Sequence, residues 1–173
     1  MSLTAMHGKD AVVKILLSRG NYSTDESDAC GNSPLLEALR MGHKNIAELL
    51  ILEHNASVYA KDKTGRMGIH VAAEAGQREV VKFLLESQGV DVNLLSETGL
   101  SAMHCAAKEG HTALVEMLAE QGCEVNTQDE NGRTALWLAC SSRRTACVKA
   151  LQKLGAQDLA DKNGTLPSQL MPF

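Results

Sequence analysis

The sequence predicts an all-α solenoid of about five stacked helix-turn-helix units, and three observations predict it. Glycines stand at 31, 65, 99, 132 and 164, at spacings of 34, 34, 33 and 32 residues. A second series, eleven residues later, occupies 42, 76 and 110, and Gly8 extends it back by another 34. Between the glycines apolar residues recur at helical spacing, while aromatics make up only 3% of a chain that is 44% hydrophobic, a composition suited to thin layers of short helices. Two glycine series held in register at this period are the mark of stacked-repeat architecture.

The units follow in order. A single repeat domain is expected over 1–173, with a partial unit at 1–27, full units at 28–60, 61–94, 95–127 and 128–160, and a partial cap at 161–173. Thr4 to Gly8 reads as the end of a first helix, and Lys9 to Ser18 carries Val12, Val13, Ile15, Leu16 and Leu17 at helical spacing, with Gly20 as a C-terminal stop. Asn21 to Cys30 is polar and reads as a connection.

In the next unit Gly31 suits a turn, Ser33 is placed to cap a helix, and Pro34 fits its first turn. Gly42-His43 then joins a helix over Leu35 to Leu39 to a second over Ile46 to Ile51. The third unit repeats the plan, except that Met67-Gly68 stands where other units carry a capping hydroxyl followed by Pro or Ala. Its helix start is expected to be the weakest. From Gly42 to Asn55 and from Gly76 to Gly89 is thirteen residues, against twelve from Gly110 to Gly122, so an extra residue at each of those two helix ends is expected. In the fifth unit Arg143-Arg144 replaces the Gly-His turn, and Trp137 replaces the histidine held at 70 and 104.

Charge and cysteine usage exclude several classes. A net charge of −4 gives no general attraction to nucleic acid or to anionic membranes, and no run approaches the length of a spanning helix. Five cysteines, at 30, 105, 123, 140 and 147, are odd in number and lack Cys-x-x-Cys spacing. Free thiols in a reducing compartment, cytoplasmic or nuclear, are the expectation.

Three motifs carry a family resemblance: Gly-x-Thr-Ala-Leu-x-x-Ala at 132–139, Gly-x-Ser-Ala-Met-His-x-Ala-Ala-x-x-Gly-His at 99–111, and Gly-Val-Asp-Val-Asn at 89–93. They resemble ankyrin repeats. The resemblance implies a projecting finger and two antiparallel helices per unit, a concave face along the stack, and an adaptor role without catalysis. A structural segment of a larger repeat array is the alternative. A narrower similarity to one member, carried by Ala107-Lys-Glu-Gly-His-Thr112, Ala146-Cys-Val-Lys149 and Gly164-Thr-Leu166, implies alanyl-tRNA synthetase as the partner, with Lys108 and Lys149 as candidate lysines. Leu85 to Asn93 and Leu118 to Asn126 share Leu, five residues, an acid, Val and Asn, a pattern that resembles asparaginyl-hydroxylase sites in ankyrin proteins.

No catalytic, cofactor or metal site is expected. His70 and His104 are one repeat apart, and in the family this histidine links adjacent turns by hydrogen bonds. Cys105 and Cys140 show no paired base, and the glycines are too far apart to open a phosphate loop. What remains is the variable surface. In the ankyrin register the finger tips supply Lys63, Arg66, Glu97, Leu100, Glu130 and Arg133, together with Ala29 and Cys30. The inner helices supply Arg40, Met41, Glu74, Lys108, Glu109 and Ser141. Arg66 and Arg133 suit a partner's carboxylates, and Leu100 and Met41 suit apolar contact, so a protein partner and a monomeric chain are expected.

Overall fold

A computed structural model describes residues 2–18, 27 and 31–171. The expected stop at Gly20, the connection Asn21 to Cys30 and the finger residues Ala29 and Cys30 lie outside them. Two compact units form, Met1–Val90 and Asp91–Phe173.

The first unit holds α1 (Ser2–Met6), α2 (Asp10–Ser18), α3 (Pro34–Met41), α4 (Lys44–Glu48), α5 (Gly68–Glu74) and α6 (Arg78–Glu86). Inner helices stack on inner helices, α1 on α3 on α5, and outer on outer, α2 on α4 on α6. The second unit repeats this with α7 (Ala102–Glu109) on α9 (Ala135–Ser141) and α8 (Thr112–Glu120) on α10 (Thr145–Lys153). Its last element, α11 (Pro167–Leu170), lies against α9, as expected of a partial cap.

Local chemistry explains several starts and stops of the inner helices. Ser33, Ser101 and Thr134 accept from the backbone N–H three residues on, satisfying a donor that the first helical turn leaves orphaned. Gly42 and Gly110 end their helices at φ +78° and +92°, a conformation costly for any residue with a Cβ. Met67 offers no such acceptor, so α5 starts without the side-chain cap, as expected, and only His70 Nδ1 accepts, from the Met67 N–H at 3.2 Å. Gly68 has a packing reason: a Cβ there would collide with Cδ1 of the fully buried Leu39.

The thirteen-residue spacings are resolved at the ends of the outer helices. With twelve residues the closing bond runs from Cys123 N–H to Leu118 O, five residues back. With thirteen it runs six back, from Ala56 to Leu50 and from Val90 to Leu84. In the first of these the extra residue continues α4 as a π-turn over Leu49–Glu53, and Asn55 closes it at φ +54°.

The core follows the repeat register. Counted from the interhelix turn residue, the position four after it is Ile46, Val80, Leu114 or Cys147, and the position seven after it is Leu49, Phe83, Met117 or Ala150. All eight are at most 7% exposed. Two of them touch the preceding outer helix of their own unit: Thr112 Oγ1 lies 3.2 Å from Cys147 Sγ, and Lys44 Nζ sits 5.7 Å from the centre of the Phe83 ring.

Candidate functional site

The fingers are built from one recurrent device. Asp62, Asp129 and Asp161 each accept with Oδ1 from backbone N–H groups two and four residues on, which bends the chain back on itself. Ser96 replaces the aspartate in its own finger, and its Oγ accepts from Leu100 N–H at 3.1 Å. Within the second unit the fingers also join one another through the backbone, Glu130 N–H to Thr98 O and Lys162 N–H to Asn131 O.

Within each compact unit, side chains also tie repeats to main-chain atoms of a neighbour. His104 Nδ1 accepts from Ser101 N–H at 3.1 Å, which leaves the proton on Nε2 to donate to Arg133 O at 3.0 Å. Burial is the main influence on this imidazole and pushes its pKa below the ordinary 6.5, against the pull of the Arg133 carbonyl. Trp137 does the same work by another route, its Nε1–H donating to Thr165 O at 3.1 Å. Interhelix turns form a second row, in which His43 Nε2, Gln77 Nε2 and Arg144 Nε donate to the carbonyls of Met6, Arg40 and Lys108. Asn93 and Asn126 make a third: each accepts from a backbone N–H of the next repeat, Glu124 or Gln157, at 2.8 Å.

The expected surface residues divide between the compact units. In the first, Arg66 is engaged: its guanidinium meets Asp62 at 2.9 Å and Glu74 at 2.7 Å, so two expected partner contacts, Arg66 and Glu74, bind each other. Burial raises the cost of charging Asp62, but hydrogen bonds from Thr64 and Arg66 outweigh it and hold the carboxyl below its ordinary value. Arg40 donates to Asn32 Oδ1 at 3.2 Å and lies 3.7 Å from the buried Glu37. Met41 and Lys63 are exposed.

In the second unit Arg133 is bound in the same manner, with Nη2 2.7 Å from Asp129 Oδ2 and its guanidinium 5.7 Å from the centre of the Trp137 ring. Asp129 is depressed like Asp62, with burial opposing and Arg133 leading the effects that lower it. Lys108 approaches Glu109 at 3.9 Å, and Arg144 approaches the same carboxylate at 3.5 Å. Glu97, Glu130 and Ser141 are exposed and Leu100 is half-buried. Sequence spacing did not single out Arg144 as part of this cluster. The signal was present in its replacement of the turn histidine, whose counterpart His43 donates to the Met6 carbonyl in the same way.

Chemistry beyond binding finds little support in these groups. Burial pushes the Cys123 and Cys140 thiols up to about 11 and raises Cys147 as well, which leaves them protonated and poorly nucleophilic at neutral pH. Among the described residues, no group of three or more His, Cys, Asp or Glu is placed to hold a metal ion. None of the helices described is long and apolar enough to cross a membrane.

Compared with known families, the sequence matches ankyrin repeats, in three copies, over residues 1–62 and 69–163. The interruption brackets the Met67-Gly68 helix start that departs from the capping pattern. The match covers most of the chain and accords with stacked helix pairs, capped inner helices and ring N–H links between repeats, so the chain belongs to the ankyrin-repeat family, whose repeats generally mediate binding to other proteins.

Proposed function

We propose that this chain is an adaptor that binds a partner protein through finger and inner-helix positions, the exposed Lys63, Glu97, Lys108, Glu130 and Ser141 and the half-buried Leu100 and Glu109 foremost among them. One observation carries the reading. The residue two before the finger glycine is Lys63, Glu97, Glu130 or Lys162 in the four fingers whose residues are described there, charged and exposed in every case, so each finger presents a charge where a partner can reach it. Arg66 and Arg133 take a supporting part, because their guanidiniums already hold the fingers in shape.

The finer reading concerns the partner. The narrower resemblance is to ankyrin repeat domain-containing protein 16, and what it implies, alanyl-tRNA synthetase as partner, is the identity we propose. Lys108 and Lys149 are both exposed, as a lysine that acts on a second protein must be. The setting proposed is cytoplasmic or nuclear, and the protein is proposed to act as a monomer without catalysis of its own.

The test combines capture and titration. Leu100→Asp, Lys108→Glu and Glu130→Lys together should weaken the partner about 30-fold or more, the loss that a single interface anchor of about 2 kcal/mol already gives. Melting should shift by only a few degrees, as these positions lie outside the core. Lys82→Glu and Glu116→Lys on the outer helices should leave affinity unchanged. Loss of a captured protein on the outer-helix changes alone would defeat the adaptor surface. Failure of purified alanyl-tRNA synthetase to bind, with another protein still captured, would defeat only the partner's identity.

A further inference from the structure

Ten residues after the interhelix turn residue, the outer helices α6, α8 and α10 carry Glu86, Glu120 and Lys153, charged side chains that meet solvent. In α4 and its π-turn the same position is Leu52, and this leucine is 64% exposed. An aliphatic side chain left in water where its counterparts are solvated charges adds little to folding. The backbone that carries it is unusual too. α6 meets the same thirteen-residue spacing as an uninterrupted α-helix, so the π-turn over Leu49–Glu53 is not demanded by length, and π-turns inside helices gather at functional sites.

Leu52 stands on the wall of a surface groove of about 350 Å³ between α2 and α4. Ile46 and Leu49, both buried, lie beneath it as an apolar floor. Lys14 lines the groove from α2, and Glu48 and Glu53 line it from the α4 side. Glu48 is engaged by Lys44 on its own helix at 3.5 Å. Among the described residues no ion pair crosses the groove from Lys14 to either glutamate.

We propose that this groove seats an amphipathic helix of a partner protein, with apolar residues at i and i+4 over Leu49 and Leu52, a carboxylate toward Lys14 and a basic residue toward Glu53. The site lies on outer helices and is separate from the finger and inner-helix surface. Length and charge select this occupant. The wall from Asn45 to Glu53 extends about 12 Å along its axis, room for two turns of a partner helix. Opposite charges on the two walls favour a segment of mixed charge, since a purely acidic or purely basic one meets repulsion from one side. A small molecule would stay largely in water between the exposed Lys14, Leu52 and Glu53, whereas small-molecule sites bury most of their ligand.

Fluorescence anisotropy of the full chain with synthetic helical peptides tests this. Three labelled peptides of about four turns share leucines at i, i+4 and i+7 and differ at their edges: Glu on one and Lys on the other, Glu on both, or Lys on both. The mixed peptide should bind about 5-fold or more tighter than either single-sign peptide at low ionic strength. Leu52→Gln should weaken it about 10-fold or more, while moving the melting midpoint by no more than about 2 °C because the side chain already meets water. Lys14→Glu makes both walls acidic and should turn the preference to the peptide with Lys on both edges. Leu100→Asp with Lys108→Glu and Glu130→Lys should leave all three affinities unchanged; loss of binding there would overturn the inference by assigning the peptides to the finger surface. So would equal or absent binding of the three peptides, an affinity that Leu52→Gln leaves intact, or a preference that Lys14→Glu does not move. Sedimentation of the chain as a dimer that Leu52→Gln dissociates would also overturn it, and would give the groove to a second copy.

Discussion

His104 shows how much one side chain carries in this architecture. It accepts from the cap residue of its own helix and donates to the finger of the next, all at 1% exposure. Replacing it with Ala should cost about 2–4 kcal/mol, from lost hydrogen bonds and the cavity together. The pH dependence has a definite sign. Because the folded-state pKa lies below the unfolded 6.5, the unfolded chain binds the extra proton first, and stability is lost as pH falls from about 6.5 toward the folded value. A second loss follows from Asp62 and Asp129, whose depressed carboxyls contribute stability above the ordinary 3.8 that disappears as pH falls through their folded values. Urea titrations from pH 8 to 3 should show both stages, and His104→Ala should flatten the first; an unchanged upper stage in that variant would place its origin elsewhere. Asn93 and Asn126 carry a related expectation. Each amide is clamped to the next repeat, so an asparaginyl hydroxylase should add one oxygen slowly to the native chain and faster to the His104→Ala variant. Intact-mass measurement with no oxygen gained at either residue in either protein would refute it.

Between residues and the whole lie the helix start and turn, where two substitutions should each reverse the sign that propensity alone gives them. Gly68→Ala should raise helix propensity by up to about 1 kcal/mol, yet the added Cβ would collide with Leu39 in the core, and overpacking of this kind costs about 1–3 kcal/mol. A net loss in denaturant stability is expected. Arg143→Gly should instead gain several tenths of a kcal/mol, since Arg143 holds φ +56° at a position where Gly42, Gly76 and Gly110 serve other units. A gain from Gly68→Ala would show that Leu39 has room to move. These sites also mark how far the sequence could be read. Ser33, Ser101 and Thr134 were legible as caps because capping is a local matter of one oxygen and one N–H. The thirteen-residue spacing announced an extra residue, but whether it would extend α4 as a π-turn or lengthen only the closing bond depends on packing that spacing does not encode. Gly68 looked like a poor choice of residue, because Leu39, twenty-nine positions away, is invisible in the local pattern.

Across the whole chain the repeat period set the architecture, since glycine positions and apolar spacing leave few other ways to bury the core. Surface roles were harder to read. Arg66 and Arg133 looked like anchors for a partner because an arginine at a finger position carries no mark of the aspartate four residues before it folding back onto it. Exposure at Lys63, Glu97 and Glu130, in contrast, followed directly from the register. The rows of links between repeats have a further consequence. His43, Gln77 and Arg144 differ in size and charge, and so do His104 and Trp137, but every one of them donates to a carbonyl oxygen. A carbonyl is present whatever side chain its residue bears. These links are thus blind to the side chain that the neighbouring residue bears, and a gene encoding such a chain can lengthen or shorten by whole repeats through unequal recombination with this row of bonds re-formed at the new seam.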